Sequence, residues 1–339
     1  MPSRLAAAVA AAAVTLTAAV AQDKPTTLGS FDRKDPKFDE LIPKDAKIEV
    51  LAAGFKWAEG PVWVKDGGYL LFSDIPNNRV NKWSPREGLR KFLEPSGYTG
   101  KAKFEGPEPG SNGLAIDGHG NLVLCQHGDR RIARLTKDGK FETLADRYRG
   151  KRLNSPNDLV FHPNGDLYFT DPPYGLPKNV DDPAKELDFQ GVYRLKPSGE
   201  LTLLTKELSR PNGIGFSPDF KTLYVANSDP AQAIWMAFPV KEDGTLGPGK
   251  PFGIDATADV KANPDRGLPD GLKVDRTGNV FATAVNGIYV FAPDGKLLGR
   301  IVTDDKTANC AFGDDGSTLY MCVNDKLARV KTATKGIGY

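Results

Sequence analysis

Between Ile48 and Val330 the apolar residues come in short β-rich runs, cut apart by turns containing Asp, Gly or Pro. That texture predicts many short strands, and nothing in it resembles a long amphipathic helix or a heptad. One phrase returns six times: a polar residue, a small or apolar pair, a strand, a turn and a second strand. The copies begin at Glu59-Gly60-Pro61, Asn112-Gly113-Leu114, Asn157-Asp158-Leu159, Asn212-Gly213-Ile214, Asp270-Gly271-Leu272 and Ala308-Asn309-Cys310. Second strands such as Leu70-Leu71-Phe72 and Val280-Phe281-Ala282 follow the turns. Third strands such as Ile288-Tyr289-Val290-Phe291 come next, and a fourth is visible at Phe141-Glu142-Thr143-Leu144. Successive anchors are roughly 38 to 58 residues apart, a range that brackets one four-stranded blade.

The predicted fold is therefore all-β, a six-bladed β-propeller with four-stranded blades and a central metal site. A β-sandwich does not repeat a whole phrase six times. An open propeller leaves strand edges unpaired, so Lys47 to Leu51 is expected to complete the sixth blade, whose own strands end near Val330. This divides the chain into a segment 1–21, a polar lead-in 22–45, the propeller 46–333 and a tail 334–339.

The innermost strand of each blade lines the central channel, so anchors at the start of those strands meet at one mouth. Glu59, Asn112, Asn157, Asn212 and Asp270 are oxygen-bearing, while Ala308 leaves its side of the ring open or covered by a loop. Turn chemistry alone accounts for an Asn or Asp before Gly, but it explains neither the recurrence nor Glu59. Two acids and several amides facing one small dry space repel one another, and a divalent cation removes that problem. All-oxygen ligation selects a hard ion. The expected cofactor is one divalent cation, Ca²⁺ first, with Mg²⁺, Mn²⁺ or Zn²⁺ as alternatives. Its expected ligands are Glu59, Asn157, Asn212 and Asp270, with Asn112 mainly at the substrate.

Such a cation can polarise a bound carbonyl, and a nearby carboxylate can handle the attacking water. Asp270 and Asp171 are the candidate acids. No Ser or Cys stands in a nucleophile motif. His127, after the second strand of its blade, either contacts substrate or is a plain loop residue. Arg152 either binds hydroxyls or a carboxylate or is a solvated loop residue, and Tyr174 is a candidate pocket wall. The loop from Gly97 to Pro109 is long for a blade connection and is a candidate lid.

Composition changes the picture in two places. Arg4, the apolar run Leu5 to Val20 and the small-x-small site Ala19-Val20-Ala21 read as a secretory signal peptide, so the mature protein is expected in the periplasm or outside the cell and off the membrane. Net charge is +2, from 45 Lys and Arg against 43 Asp and Glu, which offers no basic field for nucleic acid. The three cysteines, Cys125, Cys310 and Cys322, leave at least one unpaired. A hairpin at Gly316 could set Cys310 opposite Cys322, although buried free thiols are the commoner outcome in strands.

The motifs Ala58-Glu59-Gly60-Pro61-Val62-Trp63, Ser155-Pro156-Asn157-Asp158, Thr170-Asp171-Pro172-Pro173-Tyr174-Gly175, Arg210-Pro211-Asn212-Gly213 and Pro269-Asp270-Gly271 together resemble the gluconolactonase/regucalcin family, to which luciferin-regenerating enzyme and, more distantly, the paraoxonases are related. The resemblance runs from about Ile48 to Val330. It implies a six-bladed propeller with one divalent cation in the channel. Family ligands match Glu59, Asn212 and Asp270, and Asn157 matches an Asn that contacts metal or substrate. Asp171 matches an acid that some members place beside the metal or a second cation. The implied reaction is hydrolysis of a small-molecule sugar-acid lactone. The paraoxonase branch uses a His where this chain has Asn112, which favours the sugar-lactone reading. The competing readings are a promiscuous esterase or phosphotriesterase on the same cation, and a non-catalytic propeller that binds calcium, a ligand or a protein.

Overall fold

The computed structural model describes residues 26–339, so the expected signal peptide, 1–21, lies outside the described residues. Six antiparallel sheets follow one another around a central axis. Blade one runs Ala58–Val64, Tyr69–Asp74, Arg79–Ser84, Gly88–Leu93, and blade two runs Ser111–Ile116, Leu122–Gln126, Arg131–Leu135, Phe141–Ala145. Blade three is Leu159–Phe161, Leu167–Asp171, Gly191–Leu195, Leu201–Thr205, and blade four is Pro211–Phe216, Thr222–Asp229, Gln232–Pro239, Lys250–Phe252. Blade five is Leu272–Val274, Val280–Ala284, Gly287–Phe291, Leu297–Val302. Blade six takes Thr307–Gly313, Thr318–Val323 and Lys326–Lys331 from the C-terminal part and Ile48–Ala53 from the N-terminal part.

Both faces of a blade meet a neighbouring blade, so the middle strands are apolar at consecutive positions rather than at alternate ones. Leu122–Gln126 and Val280–Ala284 are buried throughout. Among the described residues the buried apolar side chains form six clusters, one at each blade interface. Trp63, Leu70, Tyr320 and Cys322 fill the interface between blades six and one, and Trp235, Tyr289 and Phe291 fill that between four and five.

The N-terminal segment is not a bystander, as its polarity suggested. Ser30–Arg33 pairs with Leu297–Val302 as a fifth, outermost strand of blade five, and Thr27–Leu28 pairs with Ile48–Ala53 on blade six. Between them lies a one-and-a-half-turn helix, Pro36–Leu41, started by Pro36 and capped by Asp35, which accepts from the Lys37 N–H at 2.9 Å. Its Phe38 is buried between blades five and six. The segment is thus a clasp across two blades. Residues 334–339 are docked as well: the Tyr339 hydroxyl donates to Phe312 O at 2.9 Å, and Thr334 donates to Asp275 Oδ2 at 2.9 Å.

All three cysteines are free and buried. A register shift between Thr307 and Asn309 pairs Cys310 with Met321 and Cys322 with Asn309. Side chains alternate across a strand, so Cys310 packs towards blade five and Cys322 towards blade one. A bridge between them is excluded by that one-residue offset.

Candidate functional site at the channel mouth

All six anchors come together as the repeat predicts, five of them bearing oxygen. Glu59, Asn112, Asn157, Asn212 and Asp270 line one cavity of about 240 Å³ at a mouth of the channel, and Ala308 lines it too. Strand bulges explain how side chains at strand starts come to face inward. Pairing slips between Glu59 and Val62, Ser111 and Leu114, Pro211 and Ile214, and Thr307 and Asn309. A bulge re-aims a side chain where an ordinary ladder alternates it.

The glycine after an anchor serves the ring rather than a turn. A Cβ on Gly60 meets Asn112 O at 2.0 Å, one on Gly113 meets Asn157 O at 2.7 Å, and one on Gly213 meets Asp270 O at 2.1 Å. The inner strands therefore approach one another more closely than any side chain allows. A second recurring device supports the next anchor. Ser73 donates to Asn112 O at 2.8 Å, Thr170 to Asn212 O at 2.8 Å and Thr283 to Ala308 O at 3.0 Å. Each hydroxyl sits on the second strand of one blade and braces the anchor of the next. This signal was present in the sequence, as Phe72-Ser73, Phe169-Thr170 and Ala282-Thr283, and the anchor pattern alone does not reveal it.

The ring is an oxygen-rich site short of partners. Asn112 Oδ1, Asn212 Oδ1 and Asp270 Oδ1 are buried and accept no hydrogen bond among the described residues. Leaving such atoms unpaired costs about 1–3 kcal/mol each. Burial pushes Glu59 up to about 8, against the N–H of Gly60 that donates to it, and the Asp158 carboxylate adds to the rise. Asp270 is held well above the carboxylate range by burial and then by repulsion from Glu59. Among the described residues no three His, Cys, Asp or Glu side chains lie close enough together to hold a metal ion by themselves; the ring offers two carboxylates, and amide oxygens supply the rest. That donor set fits one hard divalent cation held by Glu59, Asn157, Asn212 and Asp270.

Below the ring the channel is closed by residues the anchor pattern overlooked. Asn309, one position beyond Ala308, approaches Asp158 at 3.5 Å and Lys273 at 3.5 Å. The other mouth is a separate cavity of about 350 Å³ whose lining is mainly apolar, with Trp63, Leu114, Phe216, Ile337 and Tyr339 among the residues there. The polar chemistry belongs to one end only.

The remaining candidates divide. Tyr174 does line the polar cavity, with its hydroxyl 3.2 Å from Ser228 O. Arg152 does not: its guanidinium donates to Asp129 O at 2.8 Å. His127 is fully buried behind the cavity wall, its Nδ1 2.9 Å from Glu108 Oε2. Trp57, Glu108, Ser228, Leu268 and Lys306 line the cavity and were not anticipated. Glu108 lies in the loop expected as a lid. That loop is pinned at its start, where Asn78 Oδ1 accepts from Ser96, Gly97 and Tyr98, and at its end, where Gly110 donates to Ile75 O at 3.0 Å.

Asp171 is not on the cavity, and the pseudo-symmetry says why. It ends the second strand of blade three, and its Oδ2 accepts from the Asn154 N–H at 2.8 Å, three residues before the anchor Asn157. In blade one Asp74 accepts from Lys56 and Trp57, just before Glu59; in blade four Asn227 accepts from Arg210, just before Asn212. All three side chains tie down the turn that leads into an anchor. An amide does this work in blade four, so the charge of Asp171 is dispensable to it. Burial raises Asp171 to about 7. A carboxyl with a raised folded-state pKa contributes stability that is complete below about pH 4 and is lost as the pH rises through about 7. Asp171→Asn is therefore expected to gain on the order of a few kcal/mol over the native protein at pH 8, with little difference at pH 4. Turnover should be retained. Urea unfolding at the two pH values checks the first statement, and equal stability at pH 8 would count against it.

A family model described as "SMP-30/Gluconolactonase/LRE-like region" matches residues 57–324, which take in all five oxygen-bearing anchors. The chain belongs to the SMP-30/gluconolactonase/LRE-like family. Within that family, a gluconolactonase of Zymomonas mobilis subsp. mobilis is 40% identical over 340 residues, covering 98% of this chain and 95% of its own. The solved structure of a gluconolactonase from Xanthomonas campestris is 32% identical, covers 92% of this chain and 99% of its own, and superposes with a TM-score of 0.77. The calcium-binding protein regucalcin from Agrobacterium tumefaciens is 19% identical with a TM-score of 0.66 over 86% of this chain, a likeness of fold.

Proposed function

We propose that this protein is a cation-dependent lactonase that opens sugar-acid lactones at the polar mouth of its channel. Three buried oxygens without partners, one of them on the Asp270 carboxyl that Glu59 repels, carry the reading, and the gluconolactonases among its relatives supply the reaction class. Ca²⁺ is the first candidate because every donor is an oxygen. When bound, the cation supplies Lewis-acid stabilisation of the oxygen that becomes negative as the carbonyl is attacked.

The chain's own residues do the rest. Glu59, Asn157, Asn212 and Asp270 hold the cation, and Asn112 presents its amide to a substrate hydroxyl. The Trp57 ring and Tyr174 form walls against which the C–H face of a sugar ring packs, with Ser228 fixing the Tyr174 hydroxyl. Because Ala308 adds no bulk to the ring, the cavity extends on that side towards Leu268 and Lys306, giving room for the substituents of the lactone. Among the described residues the cavity's hydroxyls are those of Ser228, Thr307 and Tyr174, none of them in a nucleophile motif or within reach of a histidine on the cavity, and the reading takes water as the nucleophile.

Proton release from five- and six-membered sugar lactones, followed at constant pH, tests the reading. The expected result is hydrolysis that stops on chelation and returns with Ca²⁺. Undiminished hydrolysis by a verified metal-free preparation would end it.

A further inference from the structure

Water attack needs a proton acceptor, and the ring does not offer a good one. A carboxylate bound to a cation is a feeble base, which applies to Glu59 and Asp270 alike, and Asp171 lies off the cavity. Among the described residues one carboxylate on the cavity remains: Glu108. Its side chain is 27% exposed, and the nearby His127 Nδ1 is not aligned to donate to it. It stands four positions before Asn112, near the end of the loop that reaches the cavity.

Behind it is His127. This imidazole is 0% exposed, and neither of its nitrogens makes an aligned hydrogen bond among the described residues. Burying two unpaired polar atoms is costly, and the near polar group is Glu108 Oε2, 2.9 Å from Nδ1. That is hydrogen-bonding distance with the ring turned off line, and catalytic hydrogen bonds commonly straighten only when substrate is in place. The backbone holds the histidine there. His127 N donates to Gly110 O at 3.1 Å, and Arg130 N donates to His127 O at 3.1 Å. Gly175 packs against the other side so closely that a Cβ there would meet His127 Cβ at 2.6 Å. An imidazole N–H aimed at a carboxylate fixes that carboxylate's orientation.

We propose that Glu108 is the general base of the lactonase and that His127 is its positioning residue. The assignment rests on the lactone reading above. As the water oxygen bonds to the carbonyl carbon, one water proton passes to the Glu108 carboxylate. When the ring C–O bond breaks, the ring oxygen leaves with that bond's electron pair and takes the proton back from Glu108, becoming the hydroxyl of the open-chain acid. The other water proton stays on the new carboxyl group, which releases it to solvent. Glu108 ends as it began, and one water is consumed for each lactone opened.

The test compares Glu108→Gln and His127→Gln with the native enzyme on a lactone that the native enzyme hydrolyses. Glu108→Gln should lower kcat by about 10²- to 10⁴-fold, the usual share of a general base. KM and Ca²⁺ affinity by calorimetry should be unchanged. His127→Gln should lower kcat by a smaller factor, again at constant KM. The ¹⁵N resonance of the His127 Nδ1 in otherwise native protein should move in Glu108→Gln, a readout that stands even where His127→Gln fails to fold. A Glu108→Gln enzyme within about threefold of native kcat overturns the assignment. So does loss of Ca²⁺ affinity in that variant, which would make Glu108 a ligand, and so does an unmoved His127 resonance. Native protein inactive on every lactone instead overturns the lactone reading, and this role falls with it.

Discussion

If the proposed cation-dependent mechanism holds, Asp270→Asn is expected to leave a folded protein that no longer binds a cation and turns over lactone at least about a thousandfold more slowly, the equivalent of about 4 kcal/mol in the barrier. The substitution keeps the shape of the side chain and removes half of the ring's formal negative charge, so any loss is electrostatic. The stability of the same variant should cross over with conditions. In the presence of chelator, the native protein carries a carboxyl group that burial and the neighbouring Glu59 hold well above its ordinary range, and the Asn variant escapes that cost. With saturating Ca²⁺ the native protein gains binding energy that the variant cannot. Thermal denaturation should therefore rank Asp270→Asn above native in chelator and below it in Ca²⁺. Glu59→Gln should behave in the same way, because Glu59 is the other carboxylate of the ring. A variant that ranks on the same side of native in both buffers would mean that the ring was not arranged around a cation.

Phe38→Ala is expected to destabilise the protein by about 3–5 kcal/mol although it lies outside the channel mouth. Phe38 is wholly buried among Ile288, Val290, Leu298, Ile301 and Met321, and Gly299 leaves room for its ring, since a Cβ there would lie 2.5 Å from it. The aromatic side chain is the anchor of the whole N-terminal clasp. Arg33, on the adjoining strand, has its guanidinium 5.3 Å from the ring centroid and donates to Ile42 O and Pro43 O at 2.9 Å. Truncation would leave a void at the interface of blades five and six and loosen the strand pairs on either side. The urea midpoint should fall, with lactone turnover in mild conditions retained because the cavity lies elsewhere. A loss below about 1 kcal/mol would mean that the clasp merely rests on the ring.

Repetition made the architecture legible. A single Asn-Gly is an ordinary turn, but an oxygen-bearing side chain at five of six matching phases marks a shared environment, and the ring stands where those phases place it. What the sequence hid was geometry between repeats. Asp171 looked like site chemistry because it sits near Asn157 in the chain and in a motif with Tyr174; its actual partner is a backbone N–H, visible only once Asp74 and Asn227 are seen in equivalent places. Glu108 was overlooked for the converse reason: its loop has no repeat to be compared with. The lead-in was underestimated because outermost strands and a six-residue helix bury one face only, so Ser30–Arg33 and Pro36–Leu41 look polar. Cys310 and Cys322 show how little spacing says when a bulge adds a residue.

The way blade six is assembled has a consequence for the order in which the protein is made. Glu49 and Arg329 pair at 2.8 Å across adjoining strands although 280 residues separate them. During synthesis five blades can stack as they emerge, but the sixth must wait for the final strands, with Ile48–Ala53 left as an open edge until then. Contacts so distant in sequence make the closing step slow, and an edge exposed for that long invites pairing with a second chain. The thiols offer a clock for it. Burial leaves Cys310 pushed up to about 12 and Cys322 raised as well, so both are inert once the ring is shut. An alkylating reagent added at intervals during refolding would reach them only while the last blade was still waiting for its first strand.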